Sequence, residues 1–484
     1  MRALRQTAEA GPASAESDCF PEIRFTDVQQ IANVLADRIE ARFEELARVL
    51  LTYESFEVVR DETDRTIDLL RSLHENETYF ERRIGEVVAF LPRNQPLYAF
   101  TCFVVVPALM ASSVHFRIPH AMRHFFPELL RVLGVERLLS NIVVSPLGRT
   151  EFLRERSALR RGLARAESYP VTDAVIFTGT PAHADQLRRV FDPRTLFITN
   201  GAGHNPLIVA PDADIFAAVD AVIALQFYNQ GQDCAAPNAI LVHATVLPRF
   251  LSLLREGVRQ LVVGPYENRA CRIGPIGDPA DLIRIQKLLV DNRRWLDRST
   301  PGIVRAAEAT AEPTIVCRPL REGPNFTELF APIVVVQGYE HDGELARYFE
   351  HPRYAANAMY LSLYGASRYV DELIGRKVDG RVLHDHSSVL RNTHLHAAGV
   401  ERGTQPYGGS GVGASSLRIG RTLLCRPTLP QRDLWEWIAK PLRCKELRIA
   451  RTKNLTHALI EYRDNIPKLL RLKDLNPQPQ PTAH

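Results

Sequence analysis

From about Gly85 onward the sequence alternates between short apolar runs and helical stretches, and this alternation limits the fold more than any other feature. The segments "EVVAFLP", "SVHFRIP", "NIVVS", "DAVIFTG", "TLFITNG" and "PLIVAP" read as short strands apolar on both faces. Stretches such as "AMRHFFPELLRVLG" and "PAHADQLRRVF" separate them and read as helices. Strands joined through helices pair in parallel, and a parallel sheet must be covered on both sides, so the pattern predicts a doubly wound α/β architecture. A second strand–helix series runs from Asn205 to about Val389, with "AILVH", "TIVCR", "IVVVQGY", "AMYLSLYG" and "RVLHDHSSV" as its strands. At 484 residues the chain has room for two or three cores.

Two helical patterns precede the first strand. "TDVQQIANVLADRIEARFEELARVLLTYE" repeats its apolar residues at helical spacing with Thr26 as N-cap, and "DETDRTIDLLRSLHENETYFERRI" forms a second helix that frays. Residues 1–21, rich in Ala, Ser and Glu, predict a disordered tail without a secretory signal. Leu97–Phe116 is a long uncharged run, but Pro107 interrupts it and Ser112, Ser113 and His115 polarise its end. It is read as a buried strand followed by a buried helix and not as a membrane span. The near balance of 60 basic and 56 acidic residues gives no footprint for nucleic acid. Seven scattered cysteines with no CxxC argue against disulfides or structural zinc and for a reducing, cytoplasmic setting.

One of those cysteines stands in "YNQGQDCAAPNA". By its own segment Cys234 reads first as a small buried hydrophobe, with a metal ligand or a nucleophile as the alternatives. A papain-like site is set aside, because no Gly-Ser-Cys-Trp is present and the cysteine lies mid-chain. Four histidines in "LHDHSSVLRNTHLH", His384, His386, His394 and His396, raise a metal site as an alternative to polar substrate contacts or an exposed loop. No metal is expected there.

Five segments in order resolve the question. "LPRNQPLYAF", "VIFTGTPAHADQL", "FYNQGQDCAAPNAILV", "FTELFAPIVVV" and "PYGGSGVGASSLRIG" resemble the Pro-x-Asn-x-Pro, Phe-Thr-Gly-Ser, cysteine, Glu-x-Phe-Gly-Pro and Pro-Phe-Gly-Gly motifs of the aldehyde dehydrogenase superfamily. The resemblance covers roughly residues 25–420. It implies a Rossmann-like NAD(P)-binding domain over 22–199 and an α/β catalytic domain over 200–400. A glycine-loop return and C-terminal extension over 401–484 completes the chain. It implies that Cys234 is the nucleophile and that Asn94, with the Cys234 backbone N–H, holds the oxyanion. Thr178, Gly179 and Thr180 would face the pyrophosphate, and Glu328 and Phe330 the nicotinamide ribose and ring. Arg117 and His120 would stand at the adenine ribose. Gly408, Gly409 and Gly411 match a loop at the active-site mouth, where backbone freedom in a turn is sufficient reason for them.

The sequence departs from the family pattern in places that matter. Asn200, in "TNGAGHNP", occupies the position of the general-base glutamate, and an amide cannot deprotonate water. Acyl transfer to a thiol needs no such base, so the departure favours coenzyme A as co-substrate or a reductive direction over oxidation to an acid. His120 replaces a glutamate that repels a 2′-phosphate, and Arg117 stands at the family's lysine, which is compatible with NADP. Ala184 replaces a helix-packing glycine. The expected function is NAD(P)-dependent oxidoreduction of a small-molecule aldehyde, or of an activated acyl group in reverse. The alternative is a catalytically impaired binding or scaffold protein on the same fold. The oligomerisation hairpin expected before "IGEVVAF" looks shortened, and a homodimer is the expected assembly.

Overall fold

The computed structural model describes residues 22–161, 168–201, 203–374, 377–378, 381–382 and 389–442. The expected tail over 1–21, His384 and His386, and the helical pattern around "LTHALIEYRDNIPKLLRL" lie outside these residues.

Two separate sheets form, each built on the parallel strands of one strand–helix series. The first has seven strands in the order Thr422–Cys425, Ser415–Ile419, Leu196–Asn200, Ala174–Thr178, Ile84–Phe90, Ala111–Phe116 and Ile142–Val144. The five strands from the N-terminal half are mutually parallel. The last two in sequence return antiparallel, with Ser415 opposite Asn200 and a hairpin closing the sheet's edge. Arg418 fixes this return: its guanidinium donates to the carbonyls of Arg188, Phe191, Asp192 and Thr195, at and beyond the end of helix Pro181–Val190. The second sheet has six parallel strands in the order Thr314–Pro319, Ile333–Tyr339, Ile240–His243, Leu207–Val209, Leu361–Tyr364 and Val389–Arg391. The unbroken burial of Ile333–Gln337 and Leu361–Tyr364 is what coverage on both faces requires.

The N-terminal helices pack on the first sheet through Val28, Leu35, Ile39, Leu46 and Leu50. The helix begins at Phe25 with Arg24 extended before it, so Thr26 lies inside the first turn and is not the cap. The single long pattern divides at Arg42 into Phe25–Ala41 and Phe43–Leu50. The guanidinium of Arg42 turns out to donate to the Val132 carbonyl. The second helix runs Phe56–Arg71 and gives way to a 3₁₀ turn, Leu73–Tyr79.

The uncharged run reverses the expected order. Helical structure comes first, over residues 96–108, and the strand Ala111–Phe116 follows. The helix starts where Pro96 needs no hydrogen bond, and the buried carboxylate of Glu62 accepts from the amides of Leu97 and Tyr98 at 3.1 Å each. That remote acceptor decides against the β propensity of Phe103–Val106. Among the described residues no helix is long and apolar enough to cross a membrane. A short antiparallel pair, Leu159–Arg161 with Ser168–Pro170, is inserted before Ala174–Thr178, where no hairpin was expected.

Candidate functional site

The loop that carries Cys234 is held in an unusual conformation. Asn229, Gln230 and Gly231 have φ of 44°, 52° and 74°, three consecutive left-handed residues. A side chain at Gly231 would place its Cβ 2.1 Å from the Ala331 carbonyl oxygen, so only glycine fits. Strain of this kind persists only where neighbours enforce it. Here Gln230 is tied by its amide to the Tyr266 hydroxyl and the Pro275 carbonyl, and just beyond the turn the buried Asn205 donates to the carbonyls of Cys234, at 2.9 Å, and Ala236, while its own carbonyl accepts from the Tyr360 amide.

Asn94 reaches the same place from the first sheet. The turn after Ile84–Phe90 passes through Asn94 and the left-handed Gln95. Arg65, from helix Phe56–Arg71, donates to the Gln95 side chain at 2.8 Å, the Tyr228 hydroxyl at 2.9 Å and Asp61, and stacks on the Tyr98 ring. Arg93 adds ion pairs to Asp278 at 2.7 Å and Asp281 at 3.2 Å, which join this turn to helix Pro279–Asp291. Asn94, Thr178 and Cys234 consequently line one cavity of about 90 Å³ between the two sheets. Ala99, Cys102 and Phe103 form an apolar wall, and Arg65, Asp233, Glu401, Gln405 and Tyr407 a polar one.

Cys234 Sγ shares a hydrogen bond of 2.6 Å with the Tyr407 hydroxyl and lies 3.7 Å from Asp233 Oδ1. Burial pushes its thiol well above the usual range, and the charges of Asp233, Glu401 and Glu328 add to the rise. Asn200 ends the strand Leu196–Asn200 and is buried. Its amide donates to Thr178 Oγ1 at 3.3 Å, and its carbonyl accepts from the Thr428 hydroxyl at 2.5 Å. Both ends of the side chain are thus engaged, and neither is a proton acceptor for water.

Three residues not singled out together by the sequence meet beside Cys234. Ligand atoms of Asp233, His396 and Glu401 lie within 4.8 Å of one another. Burial opposes the Asp233 charge, but His396, 3.8 Å away, together with the Ala235 amide and Arg65 outweighs it and holds the carboxyl below its ordinary range. The same pairing raises His396 against the effect of burial. Burial and the nearby Asp233 push Glu401 up to about 7, against the opposing charges of His396 and Arg65. With the Arg65 guanidinium facing the group, its charges are matched internally. His394 instead caps the short helix Leu395–Ala398 through Nδ1.

The expected dinucleotide residues lie on three separate turns: Gly179 and Thr180 before helix Pro181–Val190, Glu328 and Phe330 before strand Ile333–Tyr339, and Arg117 and His120 after strand Ala111–Phe116. Gly179, at φ 154°, makes the turn between Ala174–Thr178 and helix Pro181–Val190, and a Cβ there would lie 2.9 Å from the Phe177 ring. That glycine turn leads into a ten-residue helix that begins with Pro181 and has no side-chain cap. Thr180 is exposed, with its hydroxyl 3.2 Å from His183 Nδ1. Ala184 is fully buried against the sheet, so its methyl group is accommodated where the family has glycine. Phe330 has φ 43°, a conformation held by Arg284, which donates to the carbonyls of Leu329 and Phe330. Burial pushes Glu328 up to about 7, with Arg284 opposing. Arg117 donates to the Leu147 carbonyl, and burial with the like charges of Arg123 and Arg149 lowers its pKa. His120 is exposed. These residues fit a nicotinamide dinucleotide: a glycine turn at a helix N-terminus, a strained aromatic, a carboxyl and a cluster of arginines.

The glycine loop is required by close approach more than by backbone freedom. A Cβ at Gly409 would lie 2.3 Å from the Ala358 carbonyl oxygen and one at Gly411 2.5 Å from the Ala358 amide, whereas Gly408 does adopt φ 97°.

A sequence profile of the aldehyde dehydrogenase family matches residues 157–369. Sulfoacetaldehyde dehydrogenase of Neptuniibacter caesariensis is 27% identical over 259 residues, 53% of this chain and 54% of that protein. The NADP/NAD-dependent aldehyde dehydrogenase PuuC of Escherichia coli strain K12 is 25% identical over 385 residues, 74% of each chain. The chain spans about half the length of several of the curated relatives it matches. Glyceraldehyde-3-phosphate dehydrogenase GapN from Methanocaldococcus jannaschii, solved in complex with NADP, superposes with a TM-score of 0.63 at 16% identity, covering 85% of this chain and 88% of that one. That likeness establishes the fold.

Proposed function

Because the chain belongs to the aldehyde dehydrogenase superfamily, we propose that it catalyses NAD(P)-dependent oxidoreduction of a small-molecule aldehyde, with Cys234 as the covalent nucleophile. The observation that carries this reading is the convergence of Cys234, Asn94 and Thr178 on one cavity, reached from two sheets. Cys234 Sγ adds to the aldehyde carbon, and the Asn94 amide and the Cys234 backbone N–H stabilise the oxyanion. NAD(P), when bound, accepts the hydride. The acyl group is then left as a thioester on Cys234.

Thr178, Gly179, Thr180, Glu328 and Phe330 are the proposed contacts to the dinucleotide. Arg117, with Arg123 and Arg149 beside it, supports NADP over NAD, because a 2′-phosphate would relieve the repulsion among the three. Asn200 taken alone supports a thiol such as coenzyme A as acyl acceptor. A second reading, a binding or scaffold protein, is favoured by one observation: burial and the neighbouring carboxylates keep the Cys234 thiol protonated in the free protein.

Single-turnover kinetics tests the proposal. A medium-chain aldehyde with NADP should release about one equivalent of reduced nucleotide per chain in a burst, and Cys234→Ala should abolish it. Nucleotide binding without any burst would leave the scaffold reading standing.

A further inference from the structure

We propose that Glu401 is the proton acceptor for release of the acyl group from Cys234, replacing the carboxylate that the family carries at the position of Asn200. The inference rests on the thioester reading above and goes beyond it by giving the deacylating proton a destination.

Glu401 lines the same cavity as Cys234 and Asn94. It sits on the loop between helix Leu395–Ala398 and strand Ser415–Ile419, and the loop is firmly anchored. The Tyr98 hydroxyl donates to the Glu401 carbonyl at 2.9 Å, Gln431 donates to the Gly403 carbonyl at 3.1 Å, and Asn76 donates to the Thr404 carbonyl at 3.2 Å. Within this rigid frame the carboxyl Oε1 is enclosed and accepts no hydrogen bond. Glu401 lines the cavity, and its orphaned Oε1 leaves the carboxyl without a protein donor to compete with a water that enters.

Its surroundings place its charge change in the working range. Asp233 repels the ionised form, His396 and Arg65 favour it, and Asp61 repels it from behind Arg65. With burial, the balance falls at about 7. The neutral groups that feel its charge are the Cys102 and Cys234 thiols and the Tyr98, Tyr360 and Tyr407 hydroxyls. A base that ionises near neutrality can both take and return a proton. Asn200, with both ends tied to Thr178 and Thr428, has no such capacity.

In the step itself, a water oxygen attacks the thioester carbonyl carbon and one water proton passes to the Glu401 carboxylate. The carbon–sulfur bond breaks with its electron pair going to Sγ. The products are the carboxylic acid and the Cys234 thiolate, which Glu401 reprotonates. No oxidant is consumed in this half-reaction. Water thereby becomes a competent acceptor beside a thiol.

The test separates acylation from deacylation without nucleotide. The full-length chain is acetylated with p-nitrophenyl acetate, and acetyl-Cys234 is followed by intact mass spectrometry. Glu401→Gln should lengthen the acetyl lifetime by about 100-fold or more, and its acetylation should be faster, because the thiol loses a neighbouring negative charge. A variant that merely disturbed the fold would slow both steps. In the wild type, deacetylation should rise tenfold per pH unit up to about 7 and then level off. This limb should be missing from Glu401→Gln, and azide should restore the rate of Glu401→Ala. Equal acetyl lifetimes in the wild type and Glu401→Gln would overturn the proposal alone. Failure of the wild type to acetylate at Cys234 would overturn both it and the thioester reading.

Discussion

Replacing Glu328 by glutamine should stabilise the protein, and the gain should depend on pH. The side chain is mostly enclosed, and burial raises its carboxyl to about 7, with Asp233 adding to the rise and Arg284 opposing it. In the unfolded chain the same group ionises near its ordinary 4.5. Between these values the unfolded state releases the proton first, so stability is lost as pH rises from about 4.5 to about 7 and stays lost above. At ~1.4 kcal/mol per pKa unit the difference amounts to about 3 kcal/mol. A neutral amide of the same shape carries no such penalty. Urea unfolding of the wild type and Glu328→Gln should show the variant more stable by about 3 kcal/mol near pH 8 and by less than about 1 kcal/mol near pH 5. Affinity for the nucleotide should fall in the same variant, since the ribose hydroxyls lose an ionised acceptor. A stability difference that is the same at both pH values would refute the claim that burial raises this carboxyl to about 7.

Further substitutions test the rest of the site. Arg117→Ala and Arg149→Ala should each weaken NADP by about tenfold or more while leaving NAD affinity nearly unchanged, measured by titration with each nucleotide. Asn200→Ala should cost about 1–3 kcal/mol in chemical denaturation, because it strips the partners from the buried Thr178–Asn200–Thr428 chain. Gly409→Ala should lower the melting temperature and the soluble yield sharply, as its Cβ would overlap the Ala358 carbonyl oxygen at 2.3 Å.

The two-sheet α/β fold was legible because strands covered on both faces must be apolar throughout, as in Ile333–Tyr339 and Leu361–Tyr364. The same property hid the order of elements in Leu97–Phe116. A segment buried on all sides carries no periodicity, and what decides its conformation is Glu62, some 35 residues earlier in sequence. Cys234, Asn94 and Thr178 could be named from motifs because each lies in its own recognisable segment. The Asp233–His396–Glu401 group could not: His396 stood out among four clustered histidines, but only the topology brings it within 4.8 Å of Asp233 and Glu401. Asp233 was visible in "GQDC" and Tyr407 in "PYGG", but nothing local says that both face the cysteine sulfur. The break at Arg42 likewise involves a partner distant in sequence, the Val132 carbonyl.

The most direct test of the account is intact mass spectrometry of the protein after incubation with a medium-chain aldehyde and NADP, alongside Cys234→Ala. The account predicts an acyl adduct on Cys234 that requires the nucleotide, disappears in the variant and is discharged faster when coenzyme A is added. An aldehyde-derived adduct that forms equally without nucleotide, or no adduct at all in a protein shown to bind NADP, would contradict it.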